Sequence, residues 1–357
     1  MRSRFVFLLF ALIISLVLNA WYFLAARRAS PQATPPATSN SGQEANSSGS
    51  ASNASSDTVP TDIYAHDLML RKGPDFRIYV RWLRGQMTRS RPDVNPSFDN
   101  PDSFFLDIKA GVIRANIGDI AHFLNVGAAN SPLKNINLSG NGDQIKLTGT
   151  LHKVIPLPIE IDGSIRAVPA NRIQLHVNKL SVLKVPVKGL LGSFHVQLSD
   201  LFQAKGIPGI QVTGNDIFFD TLKMLPPPHI RGQLTTVRIV NPDLEEVYGK
   251  PEKEVEHVEQ WRNFLRFHNG TIDFGKLTMH QVDIMMIDIS DDVWFDLDLA
   301  NYEKQLVNGY THITPQAGLQ IFMPDLDKLP KTKATQDISI QWFKDRNKPV
   351  PPSVKSR

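Results

Sequence analysis

The sequence contains no cysteine. That excludes disulfides, a thiolate nucleophile and any thiolate-bound metal, so a folded exported domain here must rest on its core and its hydrogen bonds. Catalytic signatures are missing as well: there is no Gly-x-Ser-x-Gly elbow, no His-Glu-x-x-His and no phosphate loop ending in Gly-Lys-Ser/Thr. The histidines are scattered, and His152, His176, His195, His257, His268, His280 and His312 form no close ligand pair. The reading is of a non-enzyme with no catalytic residue, no cofactor and no metal site.

A broad excess of charge is also absent. The isoelectric point near 9.1 invites a nucleic-acid reading. However, the net charge is only +4, and Arg2, Arg4, Arg27 and Arg28 carry that much by themselves. Setting those four and the acids Glu44 and Asp57 aside leaves +2 on residues 61–357. No phosphate-binding face follows from so small a surplus, and no nucleic-acid partner is expected.

Charge is missing altogether from Phe5 to Ala26, FVFLLFALIISLVLNAWYFLAA. At ~1.5 Å per residue this run spans roughly 33 Å, enough for a bilayer core. Trp21 and Tyr22 suit its interfacial end. A cleaved signal peptide is the competing reading. It would have a shorter apolar run and a small-x-small site, whereas Leu24-Ala25-Ala26 puts Leu where a small residue is wanted. A retained single-pass anchor is expected, with residues 1–4 in the cytoplasm. The body then lies in the periplasm or outside the cell, at a bacterial inner membrane. Residues 29–60 have almost no bulky apolar side chains and cannot repay the entropy of ordering. They read as a disordered linker with an r.m.s. reach of roughly 30 Å.

What remains is a body of short elements. Asp62–Met87 looks helical, with Ile78 and Trp82 as a stripe and Tyr79 and Leu83 less regular, and residues 61–103 form a basic helix with a proline-rich connector. From Phe104 alternating strands take over, interrupted by a short amphipathic helix at Ile117–Asn125 and a strong turn at Gly140-Asn141-Gly142-Asp143. A second helix fits Leu190–Ala204 and a third Glu252–Phe267. Further strands run to Met323, Ile338, Ile340 and Trp342 add an edge strand, and residues 346–357 form a loose tail. The expected fold class is α+β: an elongated, strongly twisted, mostly antiparallel sheet with a few amphipathic helices, preceded by one transmembrane helix and the tether. A boundary near Asn241–Glu254 separates a β-rich part, 104–240, from a second α+β part, 241–345.

Two charged stretches have a functional and an ordinary reading. Asp283, Asp288, Asp291, Asp292, Asp296 and Asp298 cluster densely enough to invite Ca²⁺. The better reading is turn chemistry at Ser290-Asp291-Asp292, with Asp296 and Asp298 alternating toward solvent. The basic stretch containing Arg77, Arg81 and Arg84 is a candidate for anionic headgroups. Pairing with acids elsewhere in the body is the slightly favoured alternative.

The segments IGDIAHFLN (Ile117–Asn125), GNGDQIKLTGTL (Gly140–Leu151), PLPIEIDGSIRAVPANRIQLHVNKLSV (Pro156–Val182), VKGLLGSFHVQLSDLF (Val187–Phe202), GIQVTGNDIFFD (Gly209–Asp220) and LTTVRIV (Leu234–Val240) follow one another in an order that resembles the LmeA-like exported lipid-binding proteins of bacteria, which are TULIP-like in shape. The resemblance covers residues 104–240 and leaves 252–345 unexplained. It implies binding of a lipid or another apolar envelope molecule, and it carries no catalytic residue. The candidate groove is Leu190, Leu191, Phe194, Leu198 and Phe202 on the helix, facing Leu175, Val177, Ile217 and Phe219 on strands. The same residues would equally make the closed core of an envelope scaffold that recruits a protein partner. A hydrolase using Asp288–Asp298 is the weakest reading.

Overall fold

A computed structural model describes residues 59–71, 77–97, 100–127, 133–152, 156–182, 209–224, 229–250, 261–274, 277–298, 301–329 and 340–350. The apolar segment 5–26, most of the 29–60 linker and the helix expected at Leu190–Ala204 lie outside these residues. Among the described residues no helix is long and apolar enough to cross a membrane.

The strands are β1 (Thr61–Arg71), β2 (Arg77–Arg89), β3 (Phe104–Asn116), β4 (Leu133–Asn141), β5 (Gln144–His152), β6 (Pro156–Val168), β7 (Arg172–Val182), β8 (Ile210–Thr213) and β9 (Asp216–Asp220). They continue as β10 (His229–Gly232), β11 (Leu234–Val240), β12 (Asp243–Tyr248), β13 (Phe264–Phe274), β14 (Leu277–Asp288), β15 (Phe295–Asp298), β16 (Tyr310–Ile313) and β17 (Leu319–Met323). Among the described residues four short α-helices join them: α1 (Ile117–Gly127), α2 (Thr221–Met224), α3 (Tyr302–Asn308) and α4 (Ile340–Asp345). The body is thus a mostly β structure with few helices, in keeping with the α+β expectation.

Among the described residues the strands make two sheets. The larger runs β11-β12-β3-β2-β1-β13-β14-β17-β16, with β10 beside β3 and β15 beside β1; the smaller runs β4-β5-β6-β7-β9-β8. The smaller sheet is antiparallel throughout, while β10, β15 and β17 pair in parallel with β3, β1 and β14. Strand pairing therefore crosses the expected boundary near Asn241–Glu254. Residues from 61–116 share one sheet with residues from 229–323, and β4–β9 form a separate sheet between them in sequence.

Three sequence expectations are corrected. Asp62–Met87 is not a helix but the hairpin partners β1 and β2, in register from Thr61↔Met87 to Arg71↔Arg77. A positive φ of 43° at Asp67 and a register shift between Val80 and Trp82 each insert one extra residue into the alternation. Inward positions therefore fall at Ile78, Val80 and Leu83, which breaks the strict alternation of a strand, and Trp82 of the expected stripe is not among them. Phe264–Phe267, expected at the end of a helix, opens β13. Its apolar residues fall on both faces because both are covered: Leu265 and Phe267 belong to the main core, while Phe264 joins Trp261, Met285, Ile287 and Phe322 in a second cluster. Ile340 and Trp342 sit on the helix α4 rather than on an edge strand. Beyond it, the backbone of Arg346 and Lys348 bonds to Thr311, so the first residues of the expected tail are pinned to β16.

One apolar core runs through both sheets, taking Val80, Ile108 and Phe267 from the larger and Leu147, Ile161 and Ile217 from the smaller. Burial of such an aliphatic side chain is worth roughly 1.5–3 kcal/mol. The join is made by backbone: Gly142, with φ of 59° in the β4–β5 turn, exchanges two hydrogen bonds with Ile239 of β11. The turn read in the sequence thus bonds directly to β11 of the larger sheet.

Candidate functional site

The inner faces of the two sheets form the candidate site. In the smaller sheet the alternation places Ile159, Ile161, Ile165, Leu175, Val177, Ile217 and Phe219 in the core. The opposite face carries ion pairs such as Lys146 with Glu160 and Asp162, and His176 with Asp216. Of the residues proposed from sequence, Leu175 and Ile217 are directly opposite one another. Val177 and Phe219 lie in the same core, and all four are buried. The expected helical half of the groove, Leu190, Leu191, Phe194, Leu198 and Phe202, lies outside the described residues.

In the larger sheet part of the core-facing side is only partly buried. Ile78 faces Leu70 and Ala115, and Ala115 faces Leu244, so these four make one row across β1, β2, β3 and β12. In the next row Ile113 faces Glu246. Leu70, Ile78, Ile113 and Leu244 pack against the core yet stay only partly buried, as do Ala115 and Glu246. The result is a contiguous apolar stretch, one residue from the strand ends at Arg71, Arg77, Asn116 and Asp243, that packs on the core and keeps some solvent-accessible surface.

Glu246 is the polar member of that stretch, and the sequence reading missed it. Its signal was the alternation Leu244, Glu246, Tyr248, which puts the acid on the apolar side of β12 while Glu245 points the other way. The Tyr248 hydroxyl donates to Glu246 Oε2 at 2.9 Å. Burial raises the Glu246 carboxyl above the usual carboxylate range and outweighs the opposing effect of that bond. Burial, with the carboxyl beside it, likewise raises the Tyr248 hydroxyl. A Cβ at Gly232 would come within 2.9 Å of the Tyr248 ring, so glycine there is what lets the ring lie against β10.

The arginines named as membrane-surface candidates stand on β2. Arg77 donates to Asp119 at 3.1 Å. Arg81 lies 3.8 Å from Asp67 and 5.6 Å from the Trp294 ring centroid, while Arg84 sits between Tyr64 and Ala110 in register.

The aspartate cluster is dispersed into local pairings. Asp288 accepts from the Ser290 backbone and from Asn263, Asp283 pairs with Arg266, and Asp292 pairs with Lys328. The expectation that Asp296 and Asp298 face solvent is overturned, since they are only 9% and 2% exposed. They are buried because β15 lies beside β1 with α3 against its backbone, and Arg71 compensates them at 2.7 Å from Asp296 and 4.0 Å from Asp298. Among the described residues no three His, Asp or Glu side chains come together in an arrangement that could hold a metal.

No protein family, curated protein or solved structure matches the chain.

Proposed function

We propose that the chain is a membrane-tethered extracytoplasmic protein that binds a lipid or another apolar envelope molecule and performs no catalysis. The observation that carries this reading is the partly exposed aliphatic row Leu70, Ile78, Ala115 and Leu244 with Ile113 beside it, on the inner rather than the outer face of a sheet. The row is contiguous across four strands and combines partial exposure with packing against the core, where a strand facing only water carries polar residues. An acyl chain needs little more than a concave apolar lining with few polar groups. The order of segments across residues 104–240 supports the same reading, and so does the uncharged run Phe5–Ala26 followed by a polar linker. In this reading Phe5–Ala26 is the anchor that holds the body at the outer side of a bacterial inner membrane. Arg77 and Arg81 are engaged with Asp119 and Asp67, which favours an intramolecular role for them over headgroup contact.

A closed envelope scaffold that pairs with a protein partner is the second reading. The full burial of Leu175, Val177, Ile217 and Phe219 favours it for the smaller sheet.

The test is photolabelling of the intact chain in bacterial membranes with a diazirine-bearing fatty acid, followed by mass spectrometry of the labelled peptides. The binding reading expects label on peptides containing Ile113 or Leu244. Label confined to Phe5–Ala26 would leave only an anchored scaffold.

A further inference from the structure

We infer that Glu246 and Tyr248 are the polar anchor of the inner apolar stretch, and that the ligand they select is an uncharged acyl lipid whose head presents hydroxyl groups. The inference rests on the lipid-binding reading and deepens it.

Position comes first. Glu246 stands between Val237 and Ile113 across the sheet, and between Leu244 and Tyr248 along its own strand. Four apolar or aromatic neighbours on one face make it the polar exception there. A carboxyl has no place in such a row for packing alone, because an apolar side chain of the same size would cost less to bury. Its hydrogen bonding is also incomplete. Tyr248 is its one hydrogen-bond partner among the described residues, held through Oε2, and the residue is only partly buried. The second oxygen is thus available to whatever occupies that space.

Charge then decides the head group. The guanidiniums nearest in register, Arg114 and Arg238, lie on the opposite face of the sheet, and both are bonded to Glu245. Among the described residues no cation is paired with Glu246. A phosphate or free carboxylate head brought to this position would meet a carboxyl in an apolar setting with nothing to neutralise it. Burial favours the protonated form of Glu246, which offers one O–H donor and an acceptor, and Tyr248 offers a hydroxyl. A hydroxyl both donates and accepts, so it matches that pair without requiring charge.

The full-length chain, reconstituted in phosphatidylcholine vesicles, would be photolabelled with three diazirine probes of equal chain length: a monoacylglycerol, the matching lysophosphatidate and a plain hydrocarbon. Labelled peptides from the folded body would be quantified. The wild type is expected to favour the monoacylglycerol over lysophosphatidate by about tenfold, the size of effect a missing or unpaired buried polar contact produces. Glu246→Leu is expected to lower monoacylglycerol labelling to the hydrocarbon level and leave the hydrocarbon unchanged. Glu246→Gln, which keeps a donor and an acceptor, is expected to retain most of the preference. Equal labelling by lysophosphatidate, or a Glu246→Leu variant that labels like the wild type, overturns the anchor while hydrocarbon labelling keeps the groove. Failure of all three probes to label the wild-type body overturns the groove and the anchor together.

Discussion

The guanidinium of Arg114 and the carboxylate of Glu245 lie 2.6 Å apart across neighbouring antiparallel strands, and Arg238 closes on the same carboxylate from the third strand at 2.6 Å. Burial by itself would raise the Glu245 carboxyl, but the two guanidiniums prevail and hold it below its ordinary value of 4.5. A lowered carboxyl stabilises the fold above that ordinary value, and the contribution is lost as pH falls through the folded value. Glu245→Gln is expected to cost about 2 kcal/mol at pH 7, because it leaves two guanidiniums facing a neutral amide. Denaturant titrations at pH 7 and pH 3 check this: the gap between variant and wild type should narrow at the lower pH.

Asp288 shows the reverse sign. Burial pushes its carboxyl up to about 6, against hydrogen bonds from Ser290 and Asn263 that favour the charged form, and nearby Asp325 adds to the rise. A raised carboxyl stabilises the fold below its ordinary value, and that contribution is lost as pH rises through about 6. The wild type should therefore lose roughly 2 kcal/mol through this group between pH 4 and pH 8. Thermal melts of Asp288→Asn over the same range should show a smaller decline with pH. An unchanged slope would mean that Asp288 titrates normally.

Ile217 tests the core under the smaller sheet. It is 1% exposed and faces Leu175 across the β7–β9 pair. Ile217→Ala is expected to destabilise the body by about 2–4 kcal/mol, the usual cost of a large buried aliphatic with its cavity. Chemical denaturation of the full chain measures it, and a loss below about 1 kcal/mol would indicate that the site is open rather than packed.

Ile113 tests the opposite property in the larger sheet. Because it is only partly buried, Ile113→Trp has somewhere to put its ring and should cost less than the 1–3 kcal/mol typical of an overpacked core. The same ring should fill the inner space and reduce acyl photolabelling of the body by about tenfold. A variant that unfolds would show that the inner face is closed at this position.

Part of this was legible in the sequence because it is local. The β4–β5 turn needs only Gly140-Asn141-Gly142-Asp143, and α1 starts where Asn116 caps the Gly118 and Asp119 amides. Alternation revealed β4–β9 because one face of that sheet is apolar and the other polar. β1 and β2 were not legible. Their bulges shift the inward positions, and the offset in β2 is defined only by its pairing with β3.

The sequence by itself determined the uncharged N-terminal run, the polar linker, the near-neutral body and the absence of thiol chemistry, since each depends on composition along a short stretch. Only the tertiary structure decided that residues 61–89 form the middle of the larger sheet, that Asp296 and Asp298 are buried against Arg71, and that Glu246 stands on an apolar face. The physical reason is the same in each case. Burial and charge compensation depend on partners as far apart as Arg71 and Asp296, 225 residues along the chain, and no short window of sequence contains both.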